Sequence, residues 1–441
     1  MYRYFTIDDF DMKGKVVGFR VDVNSPQENG KVVDNERIKA ASKTLKALSE
    51  KGARVVMLAH QGRAGRDDCV SLKEHSSLVE KYLNRKVEFH NELYSDEVKS
   101  KISSLSDGGI LILENLRFYD DEKNPDKEDN IIIKLQTLFD YYVVDAFSVV
   151  HRKETSMISN SVVGSGKVPM IAGLQMQKEI NGLNKILSTK RPAIYVFGGA
   201  KPDDLIEMLK VNLPNGKVDF VVLTGVIGEI ALMIKGYYLG SKEKFLEEKG
   251  YLSAKEDLKE LLERYSKQFI IPKDLAVFNG EERVEVPVED LNSNKEFLDK
   301  YMIQDIGEKT IEFNKNFLKD AGMIYLKGPA GNFEDENFVK GSKGIFDAIV
   351  NSNAFTFMGG GHSVTALYKF AKPSDFSYIS LAGGAIVKFL SGKNLPGIDS
   401  LENSFAMHDK HFEDFLVVGS NTIDTGVNVP CKFSDFYLGD K

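Results

Sequence analysis

Cysteine is almost missing from the chain: of 441 residues, only Cys69 and Cys431 carry a thiol. They stand far apart and outside any Cys-x-x-Cys spacing, so neither a disulfide framework nor a thiolate metal site is suggested. Positive charge is not in excess either. A net charge of -7 argues against a surface coated for nucleic-acid backbones and leaves room only for focused anion pockets. No run of ~18 apolar residues is present to span a bilayer, and no low-complexity tract or fixed-period repeat occurs. The opening stretch, Met1 to Asp11, is mixed and acidic, unlike a secretory or transit peptide. The expected location is the cytoplasm.

What is present is ordinary globular material, 42% hydrophobic and 28% charged, in a chain longer than the ~250 to 300 residues at which single cores stop growing. At least two domains are expected. Short β-branched and aromatic runs read as buried strands: Lys15 to Val21, Arg54 to Ala59, Ile110 to Leu113, Tyr141 to Val144, then Ala193 to Phe197, Asp219 to Leu223, Gln268 to Ile271, Gly322 to Leu326 and Ala354 to Met358. Between the first two, Glu36 to Gly52 carries Ile38, Leu45 and Leu48 at helical spacing and ends on a glycine. Strand, helix, strand repeats along the chain. That alternation predicts an α/β fold of two Rossmann-like, doubly wound parallel-sheet units, with ligands outside the carboxyl ends of the strands. A helix over Gln175 to Ser188, with Ile180, Leu183, Ile186 and Leu187 on its apolar face, is expected to join the two. After Leu395-Pro396-Gly397 the rhythm stops, and a tail through Phe405, Phe412 and Phe415 is expected to pack somewhere.

The strand ends of the first half carry polar groups. Arg20-Val21-Asp22-Val23-Asn24-Ser25-Pro26 follows the first strand, with Asp22 and Asn24 on one side; whether they only make turn hydrogen bonds stays open at this level. His60-Gln61-Gly62-Arg63, Glu114-Asn115-Leu116-Arg117 and Asp145-Ala146-Phe147 leading to His151-Arg152 follow later strands, and Arg37 opens the helix after the first loop. One such arginine is ordinarily a solvated surface residue. Four arginines and a histidine at the ends of one sheet converge, and guanidinium groups suit phosphate and carboxylate through paired hydrogen bonds. The expected ligand is small and multiply anionic.

The second half has glycine loops after its strands: Gly198-Gly199-Ala200-Lys201, Gly328-Pro329-Ala330-Gly331-Asn332-Phe333-Glu334, Gly359-Gly360-Gly361-His362-Ser363 and Gly383-Gly384. Glycines let backbone N–H groups approach phosphates, and a following helix adds its positive end. Lys201 suits charge balancing on a phosphoryl group in flight, although a solvated loop lysine explains it equally well at this point. Other signatures fail. Gly164-Ser165-Gly166-Lys167 has Ser161 where a P-loop needs its first glycine and Val168 where it needs Ser or Thr. Val364 stands where a dinucleotide fingerprint ends on glycine, which counts against a nicotinamide dehydrogenase.

Taken in order, Arg20-Val21-Asp22-x-Asn24-x-Pro26, Asn35-Glu36-Arg37-Ile38, His60-x-Gly62-Arg63, Glu114-Asn115-Leu116-Arg117-Phe118, Asp145-Ala146-Phe147, His151-Arg152, Gly198-Gly199-Ala200-Lys201, Gly328-Pro329-x-Gly331 and Leu395-Pro396-Gly397 resemble phosphoglycerate kinase, from about residue 5 to 402. His60-Gln61, Asp305-Ile306-Gly307-Glu308-Lys309-Thr310 and Gly361-His362-Ser363 are similar to its archaeal branch. The resemblance implies an N-terminal domain over 1–172 for 3-phosphoglycerate, an interdomain helix over 173–188, a nucleotide domain over 189–400 and a segment over 401–441 returning to the N-terminal domain. It implies reversible phosphoryl transfer between 1,3-bisphosphoglycerate with ADP and 3-phosphoglycerate with ATP, with magnesium on the nucleotide, in a monomer or homodimer without nucleic-acid or membrane partners. By matching positions, Asp22, Asn24, Arg37, His60, Arg63, Arg117 and Arg152 contact 3-phosphoglycerate, and Arg37 also reaches the transferring group. Lys201 is the charge-stabilising lysine and Glu334 holds the ribose. Gly199, Gly360, Gly361, His362 and Ser363 belong to the nucleotide site, and Gly360 and Gly383 offer backbone at the transferring phosphate.

Four positions depart from the pattern. Leu205 replaces a second lysine, Lys327 an asparagine, His362 an aspartate at the magnesium, and Leu381-Ala382 a Thr-Gly pair. Lys327 is expected to restore the charge lost at Leu205. A catalytically weak relative that binds phosphorylated metabolites or a protein partner is the alternative these departures leave.

Overall fold

A computed structural model of the chain describes residues 2–162, 168–200, 202–380 and 382–409. Lys201, Leu381, the Gly164 to Lys167 stretch, Phe412, Phe415, Cys431 and most of the expected C-terminal segment lie outside the described residues. Among the described residues, no helix is long and apolar enough to cross a membrane.

Two parallel sheets organise the molecule. The first runs, edge to edge, through Phe5–Thr6, Met170–Ala172, Tyr141–Asp145, Val16–Val21, Arg54–Leu58, Ile110–Ile112 and Glu88–Phe89, every neighbouring pair parallel. The second runs Phe269–Ile270, Phe220–Leu223, Ala193–Phe197, Met323–Lys327, Phe355–Gly359 and Tyr378–Ser380, again all parallel. All nine expected strands are present, with no end shifted by more than one residue. The chain leaves Val16–Val21 in one direction and returns on its other side at Tyr141–Asp145; it does the same at Ala193–Phe197 and Met323–Lys327. Those two points of reversal open the crevices where doubly wound sheets bind ligands.

Local chemistry sets the helices. Asn35 caps Glu36–Glu50 by accepting from the amides of Arg37 and Ile38, which satisfies donors that a helix start leaves unpaired. Ile38, Leu45 and Leu48 are fully buried under the first sheet, each contributing about 1.5–3 kcal/mol. The connecting helix is Leu174–Leu187, burying Met176, Ile180, Leu183 and Ile186. Leu187 corrects the expected apolar face: it is 60% exposed, because the helix ends there and its last residue clears the sheet. After Leu395 the chain forms helix Pro396–His408, which lies against the first sheet. Ser404 Oγ accepts from the Met170 amide at 2.7 Å, and the Phe405 ring sits 4.8 Å from that of Phe5.

The sequence reading missed a third, antiparallel sheet, Arg283–Pro287, Asp274–Phe278 and Ile303–Ile306. Its signal was available in the alternation of Arg283-Val284-Glu285-Val286, which puts charge and valine on opposite faces. The apolar sides of Leu275, Val277 and Val286 close over Leu232 and Leu291, walling one side of the second crevice.

The connecting helix approaches the second sheet closely at Gly182, where an added Cβ would lie 2.5 Å from the Tyr378 ring. Gly182→Val is therefore expected to lower stability by about 1–3 kcal/mol, read as a lower midpoint of urea-induced unfolding.

Candidate active site

Val16–Val21 is buried along its whole length, so its last polar side chains must find partners inside the protein. Arg20 is fully buried. Its guanidinium donates to Ser156 Oγ at 2.6 Å and to the Val21 carbonyl at 2.7 Å, and lies 3.6 Å from Glu122 and 3.4 Å from Glu154. It also reaches His60 Nδ1 at 3.1 Å. A guanidinium can only donate, so Nδ1 is the acceptor and the imidazole proton sits on Nε2. Burial, and then Arg20, push the His60 pKa well below its usual value, leaving a neutral ring.

Glu154 collects the other arginines. Arg117 Nη2 approaches it at 2.6 Å and Arg152 Nη1 at 3.4 Å, so three guanidinium groups from three strand ends meet on one carboxylate. Asp22 faces Arg37 at 3.3 Å. Although burial opposes it, Arg37, the Ser148 hydroxyl and the Asn24 amide hold the Asp22 carboxyl below the usual range. Asp22 also accepts from the Asn24 amide, and Asn24 Oδ1 accepts from the Gly62 amide at 2.8 Å. Turn bonding and site geometry thus coexist at these two residues. Arg63 stands apart, with 74% of its side chain exposed and its partner Asp68 at 3.4 Å. The structure draws Asp22, Arg37, His60, Arg117 and Arg152 around one crevice, with Asn24 shaping its loop and Arg63 at the edge.

In the second half the glycine loops pack back to back. The Gly198 amide donates to the Lys327 carbonyl and the Gly199 amide to the Pro329 carbonyl, at 2.9 and 2.8 Å. Gly360 has a φ of 105°, a conformation that favours glycine, and a Cβ on Gly383 would lie 2.6 Å from its nitrogen. Ser363 Oγ accepts from the Gly328 amide at 2.9 Å, tying the third loop to the second. Beside them opens a cleft of 350 Å³ lined by Gly199, Ala200, Pro329, Asn332 and Glu334 among others. Leu205 is buried in the core, and Lys327 Nζ lies 3.4 Å from Asp204 on the first turn of helix Pro202–Asn212.

The two halves meet at a cavity of 20 Å³ lined by Asp22, Arg37, Asp145, Gln175, Glu179 and Ala382 among others. Arg37 and the start of helix Gly383–Leu390 therefore border the same space. Behind it runs a relay that sequence reasoning missed. Thr44 donates to Asp145 at 2.5 Å and the Met176 amide donates to the same carboxylate at 2.7 Å. One turn on, Glu179 accepts from the Tyr378 hydroxyl and, at 2.8 Å, from Ser380. Glu122, Glu154 and Glu179 gave no signal beyond being acidic, because their roles depend on partners 34 to 201 residues away.

Comparison with known proteins agrees along nearly the whole chain. The family model described as phosphoglycerate kinase matches residues 7–393. The phosphoglycerate kinase of Methanococcus maripaludis is 38% identical over 420 residues, 92% of this chain and 99% of that protein; that of Pyrococcus furiosus is 36% identical, over 91% and 98%. Among solved structures, phosphoglycerate kinase from Pyrococcus horikoshii superposes with a TM-score of 0.79 at 34% identity, covering 91% and 99%. That from Coxiella burnetii gives 0.74 at 28%, covering 90% and 99%.

Burial raises the Asp145 carboxyl from 3.8 to about 6, against its hydrogen bonds from Thr44 and Met176. The folded state thus holds this proton more tightly than the unfolded chain. Its contribution to stability is full below the unfolded value and is lost as pH rises through about 6, on the order of 3 kcal/mol. Asp145→Asn keeps the shape and removes the titration. Between about pH 4 and about pH 7.5, urea unfolding should show the variant gaining on the wild type by that amount; a gap independent of pH would refute the raised carboxyl.

Proposed function

Because the chain belongs to the phosphoglycerate kinase family, we propose that its two crevices hold the two substrates of that reaction and that the cavity between them marks the line of transfer. The reaction moves a phosphoryl group reversibly between 1,3-bisphosphoglycerate with ADP and 3-phosphoglycerate with ATP. The observation that carries the assignment is the arginine crevice of the first sheet, which opens through Arg37 onto the space that Ala382 and helix Gly383–Leu390 border from the second.

In this reading residues 1–172 hold 3-phosphoglycerate, 173–188 connect, 189–400 hold the nucleotide, and 401–441 return to the N-terminal half, as helix Pro396–His408 already begins to do. Arg117 and Arg152, preset by Glu154, take the phosphate or carboxylate oxygens with Asn24, His60 and Arg63, while Asp22, an acceptor only, takes the hydroxyl of 3-phosphoglycerate. Neutral His60 offers its Nε2 proton as a donor. In the direction of ATP use, a carboxylate oxygen of 3-phosphoglycerate attacks the γ-phosphorus as the bond to the bridging β-oxygen breaks. Arg37, Lys201 and the backbone of Gly360 and Gly383 face the charge that develops there. Gly361, His362 and Ser363 complete the phosphate side, Gly199 lines the nucleotide cleft beside them, and Glu334 takes the ribose side. Water is kept out by closing one half on the other.

Magnesium fits this arrangement as the partner of the nucleotide. Asp204, an exposed carboxylate beside Lys327 at the glycine loops, is an oxygen donor of the kind that ion accepts, and the bound ion would offset phosphate charge. We place the enzyme in the cytoplasm, acting in glycolysis and gluconeogenesis as a monomer or homodimer without nucleic-acid or membrane partners.

In a coupled assay with magnesium, ATP and 3-phosphoglycerate, the protein should turn over and Lys201→Ala should lose about 10²- to 10³-fold in kcat; full activity in that variant would overturn the mechanism. Lys327→Asn tests whether this lysine supplies the charge missing at Leu205. The KM for ATP is expected to rise about tenfold, the worth of one hydrogen bond to a charged group, and unchanged affinity and turnover would sink the idea.

A further inference from the structure

The wall of the nucleotide cleft carries a pair of side-chain amides that phosphoryl transfer does not use. Gln304 stands on strand Ile303–Ile306 of the antiparallel sheet, and Asn332 in the glycine loop that ends on Glu334. Both line the cleft with Phe245, Tyr251 and Met302, and neither is buried. Asn332 Nδ2 donates to Gln304 Oε1 at 2.9 Å, and the Asn332 backbone amide donates to the Gln304 carbonyl at 2.7 Å. The two segments come this close because Gly331 has no side chain: a Cβ there would lie 2.6 Å from the Gln304 carbonyl oxygen. Among the described residues, the remaining ends of the pair, Gln304 Nε2 and Asn332 Oδ1, make no hydrogen bond to the protein.

Phosphates at the glycine loops and a ribose at Glu334 leave the wall of Phe245, Tyr251, Met302 and Gln304 to the base. Aromatic rings and a thioether suit the flat face of any base, so the polar edge is left to the two amides. Once paired, two amides present one N–H donor and one carbonyl acceptor side by side. Half a turn of both about their last torsion keeps the bond between them and exchanges donor for acceptor. That exchange is cheap, since the torsion is roughly two-fold and amide oxygen and nitrogen are nearly alike in shape. The backbone bond fixes where the pair sits, while the order of donor and acceptor stays free.

We infer that Gln304 and Asn332 read positions 6 and 1 of a purine and, by turning over together, accept both 6-amino and 6-oxo bases. Adenine offers an amino donor at position 6 and a lone pair at N1. Hypoxanthine offers a carbonyl at position 6 and an N–H at N1, the same two kinds of group in reverse. One orientation of the pair complements each. The inference rests on the reading of this cleft as the nucleotide site.

The test is kcat/KM for magnesium ATP and magnesium inosine triphosphate, whose bases differ only at those two positions, at saturating 3-phosphoglycerate. The wild type is expected to use both within about fivefold, inside the worth of one neutral hydrogen bond. A carboxylate only accepts, so it cannot exchange roles by turning over. Gln304→Glu and Asn332→Asp should each break the balance by about tenfold or more, the worth of a hydrogen bond to a charged group, and in opposite directions. The carboxylate facing position 6 favours ATP, and the one facing N1 favours inosine triphosphate. A wild-type preference beyond about tenfold, or variants that leave the ratio unchanged or move it the same way, overturns base reading by this pair. Glu334→Ala checks the placement separately. It should raise KM for both nucleotides alike; unchanged KM values would remove the nucleotide from this cleft and the inference with it.

Discussion

Three guanidinium groups held on one carboxylate set the conditions for the rest of the first half. Arg20, Arg117 and Arg152 repel one another, and Glu154, with Glu122 behind it, holds them together. The neutralisation is incomplete. Burial pushes the Glu122 carboxyl up, against Arg20 and with help from Glu154, which weakens its share of the compensation. The cluster thus keeps a positive surplus on preset side chains, which is what a small, multiply charged anion meets best. The burial of Val16–Val21 on all its faces is what forces Arg20 into this arrangement.

The second constraint is topological. Each sheet reverses direction once among its central strands, and the reversals put loops of unlike chemistry at two crevices: arginines and a histidine at one, glycines at the other. Much of this was legible in the sequence. Strands read from runs of Val, Ile, Phe and Tyr came out within a residue or two, because fully buried parallel strands need such runs. The polar motifs that follow them were legible for the same reason, since a strand end is where a polar side chain first escapes the core.

What was not legible is whatever depends on partners distant in sequence. Glu154 looks like any acidic loop residue until Arg20 and Arg117 are brought to it. Asp145 was read as part of a strand-end motif, not as the anchor that binds helix Glu36–Glu50 to helix Leu174–Leu187 through Thr44 and Met176. Leu205 looked like a missing lysine; in three dimensions it is core. The antiparallel sheet escaped notice because its strands are short and carry charge on one face.

Under the proposed assignment, the back-to-back glycine loops constrain how the second half can grip a triphosphate. The amides of Gly198 and Gly199 already point at the carbonyls of Lys327 and Pro329, and that of Gly328 at Ser363, so these donors are committed to holding the loops in register. A phosphate must therefore look to the amides at the starts of the helices that follow, Pro202–Asn212, Gly361–Phe370 and Gly383–Leu390, where the first N–H groups have no partner within the helix. The loops serve as a rigid mounting that aims three positive helix ends, and the strength of the grip depends on how those ends are aimed more than on how many glycines surround them.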